Sequence, residues 1–205
     1  MPGKPLPSPS LPAALQAARS GDRATARHQL QQLIALSPGD ARLYYTLGVV
    51  EQEDGAPERA RDAFAKAVSL APRLHQAWNN LGLAREDLND LDGAAAALEQ
   101  AVAVAPDYLA GLRNLARVLR RLGRWQDARD CYVRITDLDA DDWRAKLEAR
   151  LALPAIHASA EAMLDERRRY AAALDELIGQ AESDRAADPR RLAVAGHEHF
   201  FLAYQ

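Results

Sequence analysis

Apolar and small residues recur along this chain with a period of 34. In a window at residues 41–74, positions 4, 7, 8, 20, 24, 27 and 32 are Tyr44, Leu47, Gly48, Ala60, Phe64, Ala67 and Pro72. One period on, they are Trp78, Leu81, Gly82, Ala94, Leu98, Ala101 and Pro106. The next window holds Leu112, Leu115, Ala116, Ala128, Tyr132, Ile135 and Ala140. An earlier, degenerate window at 7–40 keeps Ala26, Leu30, Leu33 and Pro38 in register. Within each window the apolar positions recur every three or four residues, which is a helical stripe. Position 15 holds Gly21, Gly55, Asn89 or Gly123, residues that tolerate the left-handed backbone ending a helix. Each window therefore predicts two helices joined by a tight turn. The expected pairs are 11–20 with 23–36, 41–54 with 57–70, 76–88 with 91–104, and 109–122 with 125–137. Pro57 falls in a first helical turn, where its missing N–H costs nothing. Residues 142–152 predict one more first helix, stopped by Pro154.

This period and residue pattern resembles the tetratricopeptide repeat, a helix–turn–helix unit that stacks into a superhelix. The resemblance implies an all-α solenoid of three strong repeats with degenerate flanking ones, followed by a non-repeat helical segment. It also implies a module that binds polypeptide and carries no chemistry of its own. The expected organisation is a Pro-rich flexible leader at 1–10, a repeat array at 11–153 and a non-repeat segment at 154–205. In that last part Ser159 can cap a helix with apolar residues Met163, Leu164, Tyr170, Ala171, Leu174, Leu177 and Ile178. Residues 179–191 are polar and read as a loop or a frayed helix end. The chain closes on an aromatic, strand-like run, 196–205, that must be buried against something. Either it folds back onto the repeats, or the chain is the front of a larger protein.

Composition narrows the classes. With 48% hydrophobic residues the chain can bury a continuous core, but only 6% are aromatic, so small side chains must do much of the packing. A net charge of −3 gives no electrostatic case for nucleic acid or an anionic membrane. No stretch approaches the roughly 20 apolar residues of a membrane-spanning helix. One cysteine, Cys131, excludes an internal disulfide framework and suits a reducing compartment, so a cytoplasmic location is expected. Cys131 is either a small half-buried packing residue or a reactive thiol.

The first helix of each repeat is the one expected to face a ligand groove. Position 6 of successive windows holds Thr46, Asn80 and Asn114. Each amide offers a donor and an acceptor. Such a row either clamps an extended peptide backbone or bridges neighbouring helices. In the third strong repeat Arg113, Arg117, Arg120 and Arg121 share one helix face by their spacing. They suit an acidic partner, unless Glu86, Asp87, Asp90 or Glu148 neutralises them. Glu86 and Asp87, in the equivalent places one repeat earlier, would grade the groove from acidic to basic. Positions 5 and 9 of the first strong repeat are Tyr45 and Val49, so the lysine and asparagine pattern of a carboxylate clamp is absent. Self-association through the convex face is a third option.

Candidate chemistry is sparse. His28 and His75 occupy polar helix positions and are expected at the surface. His197 and His199 have the wrong spacing for a helical zinc pair, and no metal site is expected. No phosphate-binding glycine loop or nucleophile elbow occurs. A second resemblance comes from order and local strings: Ala77–Gly82 as Ala-Trp-Asn-Asn-Leu-Gly, residues 151–159, Arg167 to Arg169 on a helix, and residues 199–205. Together these resemble the N-terminal part of bacterial SPINDLY-like O-linked N-acetylglucosamine transferases. That resemblance implies a substrate-recruiting arm before two lobes that use a UDP-sugar, and an active-site contribution from His199 or, second, His197. The lobes would follow Gln205. On that expectation the 205 residues alone need no cofactor and transfer no sugar. The alternative is a free-standing repeat adaptor or dimerisation module unconnected with glycosylation.

Overall fold

The computed structural model describes residues 9–151 and 160–187, and all regular structure among them is helical. Ten helices follow in order: α1 (Leu11–Arg19), α2 (Arg23–Leu36), α3 (Ala41–Glu53), α4 (Pro57–Leu70), α5 (His75–Asp87), α6 (Leu91–Val104), α7 (Leu109–Arg121), α8 (Trp125–Leu138), α9 (Trp143–Leu151) and α10 (Ala160–Ala187). The first nine match the expected spans to within one or two residues. Of the two readings of 179–191, a loop or a helix end, the helical one holds as far as Ala187, and Ala181, Glu182 and Arg185 to Ala187 are good helix formers that carry α10 there; residues 188–191 lie outside the described residues. The chain divides into two compact units, 1–114 and 115–205, with the division inside α7.

The turn chemistry explains the regularity. Gly21, Gly55, Asn89 and Gly123 all have positive φ, between 59° and 83°. Each closes a helix by the same two bonds. At the first such turn Gly21 N–H donates to Ala18 at 3.0 Å and Asp22 N–H to Ala17 at 2.9 Å. At the second, Gly55 N–H donates to Gln52 and Ala56 N–H to Glu51. This double closure satisfies carbonyls that would otherwise be orphaned at the helix end. At the helix starts the carboxylates of Asp22, Asp40 and Asp90 accept from Thr25, Arg42 and Gly93 N–H groups.

In the first unit, α1 packs on α2, α3 on α2 and α4, and α5 on α4 and α6. Within a repeat the closest approach is at Gly48, where an added Cβ would lie 2.6 Å from two carbons of the Phe64 ring. The next repeat reproduces it: a Cβ at Gly82 would lie 2.6 Å from Leu98. The cores are correspondingly built from small residues around a few large ones. Ala60, Ala67, Ala77, Leu81 and Ala84 surround Phe64, and Ala14, Ala26, Leu30, Leu43 and Val50 form a second cluster. Across successive repeats, Trp78 Nε1 donates to the Pro72 carbonyl at 2.9 Å.

In the second unit α8 packs on α9, and α9 on α10. Ala128, Cys131, Tyr132, Ile135, Ala145 and Ala149 are buried there. Cys131, expected to be half-buried, is buried.

Candidate functional site: an amide row across the first helices

The first helices of consecutive repeats carry a connected row of side-chain amides. Asn114 Nδ2 donates to Asn79 Oδ1 at 2.9 Å. Asn79 Nδ2 donates to Asn80 Oδ1 at 3.1 Å. Asn80 Nδ2 donates to the Tyr45 hydroxyl at 3.4 Å. The row thus links Asn114, on the first part of α7, to α5 and α3, and all four residues lie within the first unit. Its middle member, Asn79, is only 4% exposed, while Asn80, Asn114 and Tyr45 are half-buried. Period and rotation dictate the arrangement. Position 6 of a first helix meets position 5 of the first helix in the preceding repeat. The 35-residue separations of Asn79 from Asn114 and of Tyr45 from Asn80 are one period plus one.

Aromatic groups flank the row. Tyr45 tilts against Phe64 with ring centres 5.9 Å apart. His75 lies edge-on to Tyr108 at 4.7 Å. His75 is therefore half-buried in a ring contact, not at the surface as its polar position suggested, because Tyr108 reaches back over the start of α5. Burial, with a smaller contribution from the neighbouring Tyr45, raises the Tyr108 phenol above its ordinary value. His28 is exposed, as expected, and contacts Gln32.

Thr46 stands apart from the row. Its hydroxyl donates to the Arg42 carbonyl one turn back in its own helix, at 2.8 Å. Arg113, Arg117 and Arg121 are exposed on α7, and each already has an interaction. Arg120 is neutralised by Glu148 of α9, Nη1 to Oε1 at 2.7 Å. Burial alone would lower the Arg120 guanidinium's value, but its hydrogen bond to Tyr132 and the Glu148 charge outweigh that and raise it. Of the acids expected to grade the groove, Glu86 is buried and Asp87 is exposed. His197 and His199 lie outside the described residues.

Two residues escape a reading of the sequence alone. Asn79 precedes the conspicuous amide and is the one that joins the row. Glu148, one of the acids expected to neutralise the arginines, does so for Arg120 from position 6 of its window, the same place as Thr46, Asn80 and Asn114. Glu51 gives no signal. It is 3% exposed, yet its carboxylate takes hydrogen bonds from Arg27 Nε at 2.6 Å and Arg59 Nε at 2.7 Å. Asp54 also pairs with both arginines. Burial pushes the Glu51 carboxyl up, but the two guanidinium groups outweigh burial and hold it below its ordinary value.

A profile of the tetratricopeptide repeat matches residues 11–75, 51–108, 79–142 and 113–153, which together span well over half of the chain. The chain belongs to the tetratricopeptide repeat family. Solved structures agree on the fold. A crystal structure of MamA has a TM-score of 0.65 at 21% identity, covering 82% of this chain and 96% of that one. YrrB, described as a tetratricopeptide repeat protein with an unusual peptide-binding site, has a TM-score of 0.65 at 19% identity, covering 87% and 89%. MamA residues 41 to the end from Desulfovibrio magneticus RS-1 have a TM-score of 0.65 at 17% identity, covering 84% and 93%. No curated protein matches the chain. The all-α repeat architecture is thus that of the family. No described helix is long and apolar enough to cross a membrane.

Proposed function

We propose that this tetratricopeptide protein is an interaction scaffold that holds an extended polypeptide segment along the amide row of its first unit. The observation that carries this reading is the bonded chain Asn114–Asn79–Asn80–Tyr45. A carboxamide has two donor hydrogens and two acceptor lone pairs. The bonds within the row fix Asn80 in place while using one of each. Its remaining donor and acceptor match the alternating C=O and N–H of an extended backbone, and the ordering cost is met before the peptide arrives. The Tyr45 hydroxyl accepts from Asn80 and keeps its own hydrogen for a peptide carbonyl. The flanking rings of Tyr45, His75 and Tyr108 offer contact area at little entropic cost. The peptide-binding site named for YrrB, a protein of the same fold, supports the choice of ligand class.

The exposed Arg113 beside the row favours a segment with an acidic residue. Under the resemblance to O-linked N-acetylglucosamine transferases, the bound segments are Ser- or Thr-bearing acceptors of a longer enzyme, and His199 belongs to that enzyme's site. The test is selection from a displayed library of unstructured peptides against the immobilised full chain. The expected result is a set of enriched peptides whose binding is lost with Asn80→Ala and kept with Thr46→Ala. No enrichment above an unrelated helical protein, or equal capture by the Asn80→Ala variant, would refute it.

A further inference from the structure

The second unit contains a cleft between α8 and α9, about 280 Å³ in volume, lined by Arg129, Val133, Thr136, Lys146, Ala149 and Arg150. Three of these six residues are cations. Each is held differently. Arg129 spans the cleft wall, its Nε donating to the Ala149 carbonyl at 2.9 Å. That bond orients the guanidinium and occupies neither terminal nitrogen. Lys146 is held over the Trp143 ring, with Nζ 4.6 Å from the centroid. Arg150 is paired with Glu176 of α10 at 2.9 Å. Three cations against one carboxylate leave the cleft with an excess of about two positive charges at neutral pH. The Thr136 hydroxyl in the lining donates to the Val133 carbonyl at 2.7 Å.

The repeat register explains why the cleft is there. Arg150 occupies position 8, where earlier repeats have Gly48, Gly82 and Ala116. At Gly48 and Gly82 not even a Cβ fits beneath the second helix. A guanidinium at this position therefore prevents α9 from being covered in the way α3 and α5 are. The surface that a second helix would bury instead carries Arg150 and its neighbours.

We propose that this cleft is a binding site for a phosphomonoester, either free or carried on a peptide side chain. A phosphomonoester carries close to two negative charges at pH 7 and three acceptor oxygens. It balances the excess charge, and the Arg129 fork can meet two of its oxygens in parallel. Lys146 supplies a point charge for the third. Glu176 competes with the ligand for Arg150. A single carboxylate leaves one charge unbalanced and binds more weakly. The site is independent of the amide row, which lies in the other unit.

The test is calorimetric titration of the full chain with three probes: inorganic phosphate, a phosphoserine peptide, and the same peptide with glutamate in that place. Trp143 fluorescence is followed in parallel. The expected result is saturable binding of inorganic phosphate, of the phosphoserine peptide, or of both, at least about fivefold tighter than the glutamate peptide. Which of the two phosphorylated probes binds tells the source. Lys146→Gln removes charge without touching the Arg129 bond to Ala149; it should weaken binding at least about fivefold and abolish the fluorescence change. Glu176→Gln should tighten binding. No binding of either phosphorylated probe, equal binding of the glutamate peptide, or binding indifferent to Lys146→Gln would each overturn the proposal. Arg129→Ala also breaks a helix–helix tie, so the Lys146 and Glu176 variants are the decisive ones.

Discussion

Gly48→Ala isolates the contact that sets the spacing within a repeat. In an exposed helix, replacing glycine by alanine stabilises by about 1 kcal/mol. Here the new Cβ would sit 2.6 Å from Phe64 Cδ1 and Cε1 and 2.9 Å from Cζ. Ordinary carbon–carbon contact begins at about 3.5 Å, so the ring must retreat by nearly an ångström. Phe64 is fully buried and has nowhere to go. Overpacking of this kind costs about 1–3 kcal/mol. The helix gain offsets about 1 kcal/mol of it, leaving a net loss of about 0–2 kcal/mol. Phe64→Ala alone should cost about 3–5 kcal/mol. In that background the clash is gone, and Gly48→Ala should instead stabilise by about 1 kcal/mol. The double-mutant cycle therefore predicts a coupling of about 1–3 kcal/mol. The assay is urea unfolding by far-UV circular dichroism, fitted as a nearest-neighbour array, because repeats need not unfold as one unit. A stabilising Gly48→Ala in the wild-type background would refute the close-approach reasoning.

Glu51→Gln should destabilise the first unit by about 1–3 kcal/mol, less than a fully buried pair because Arg59 is 58% exposed and can rehydrate. The folded carboxyl sits below its unfolded value, so its contribution is present above about pH 4.3 and is lost as pH falls further. Acid unfolding of the variant should accordingly be flatter than wild type below that pH. Asn79→Ala leaves the Asn114 donor and the Asn80 acceptor without their partner, and denaturant titration should read a loss of about 1–3 kcal/mol. Arg117→Ala with Arg121→Ala should leave stability within about 0.5 kcal/mol, since both are exposed. The same double variant should slow association with an acidic selected peptide, as measured by stopped-flow at low salt, and unchanged rates would exclude the basic stripe from recognition.

The period carries the fold into view because each repeat restates the same constraints. A left-handed residue at Gly55, Asn89 and Gly123 and a small residue beneath Phe64 or Leu98 are local demands, and they leave a local record in sequence. The site is legible only in part. Asn80 and Asn114 stand out at one position, but their connection runs through Asn79, and which rotamer an amide adopts is a matter of neighbouring helices. The Arg27–Glu51–Arg59 network joins residues from three helices with no periodic relation, so nothing local announces it. Arg150 escapes notice although the register assigns it to a glycine position. Its significance depends on how α9 is covered, and a pattern does not show that.

The most direct test of the interaction claim is the affinity of a selected peptide for the full chain carrying Tyr45→Ala and Asn80→Ala together, by fluorescence anisotropy, with thermal unfolding measured alongside. A clamp along the amide row predicts a loss of at least about tenfold, roughly 1.4 kcal/mol, with the fold retained. Affinity within about twofold of wild type would show that the peptide rests elsewhere and that the amide row serves only to join the helices.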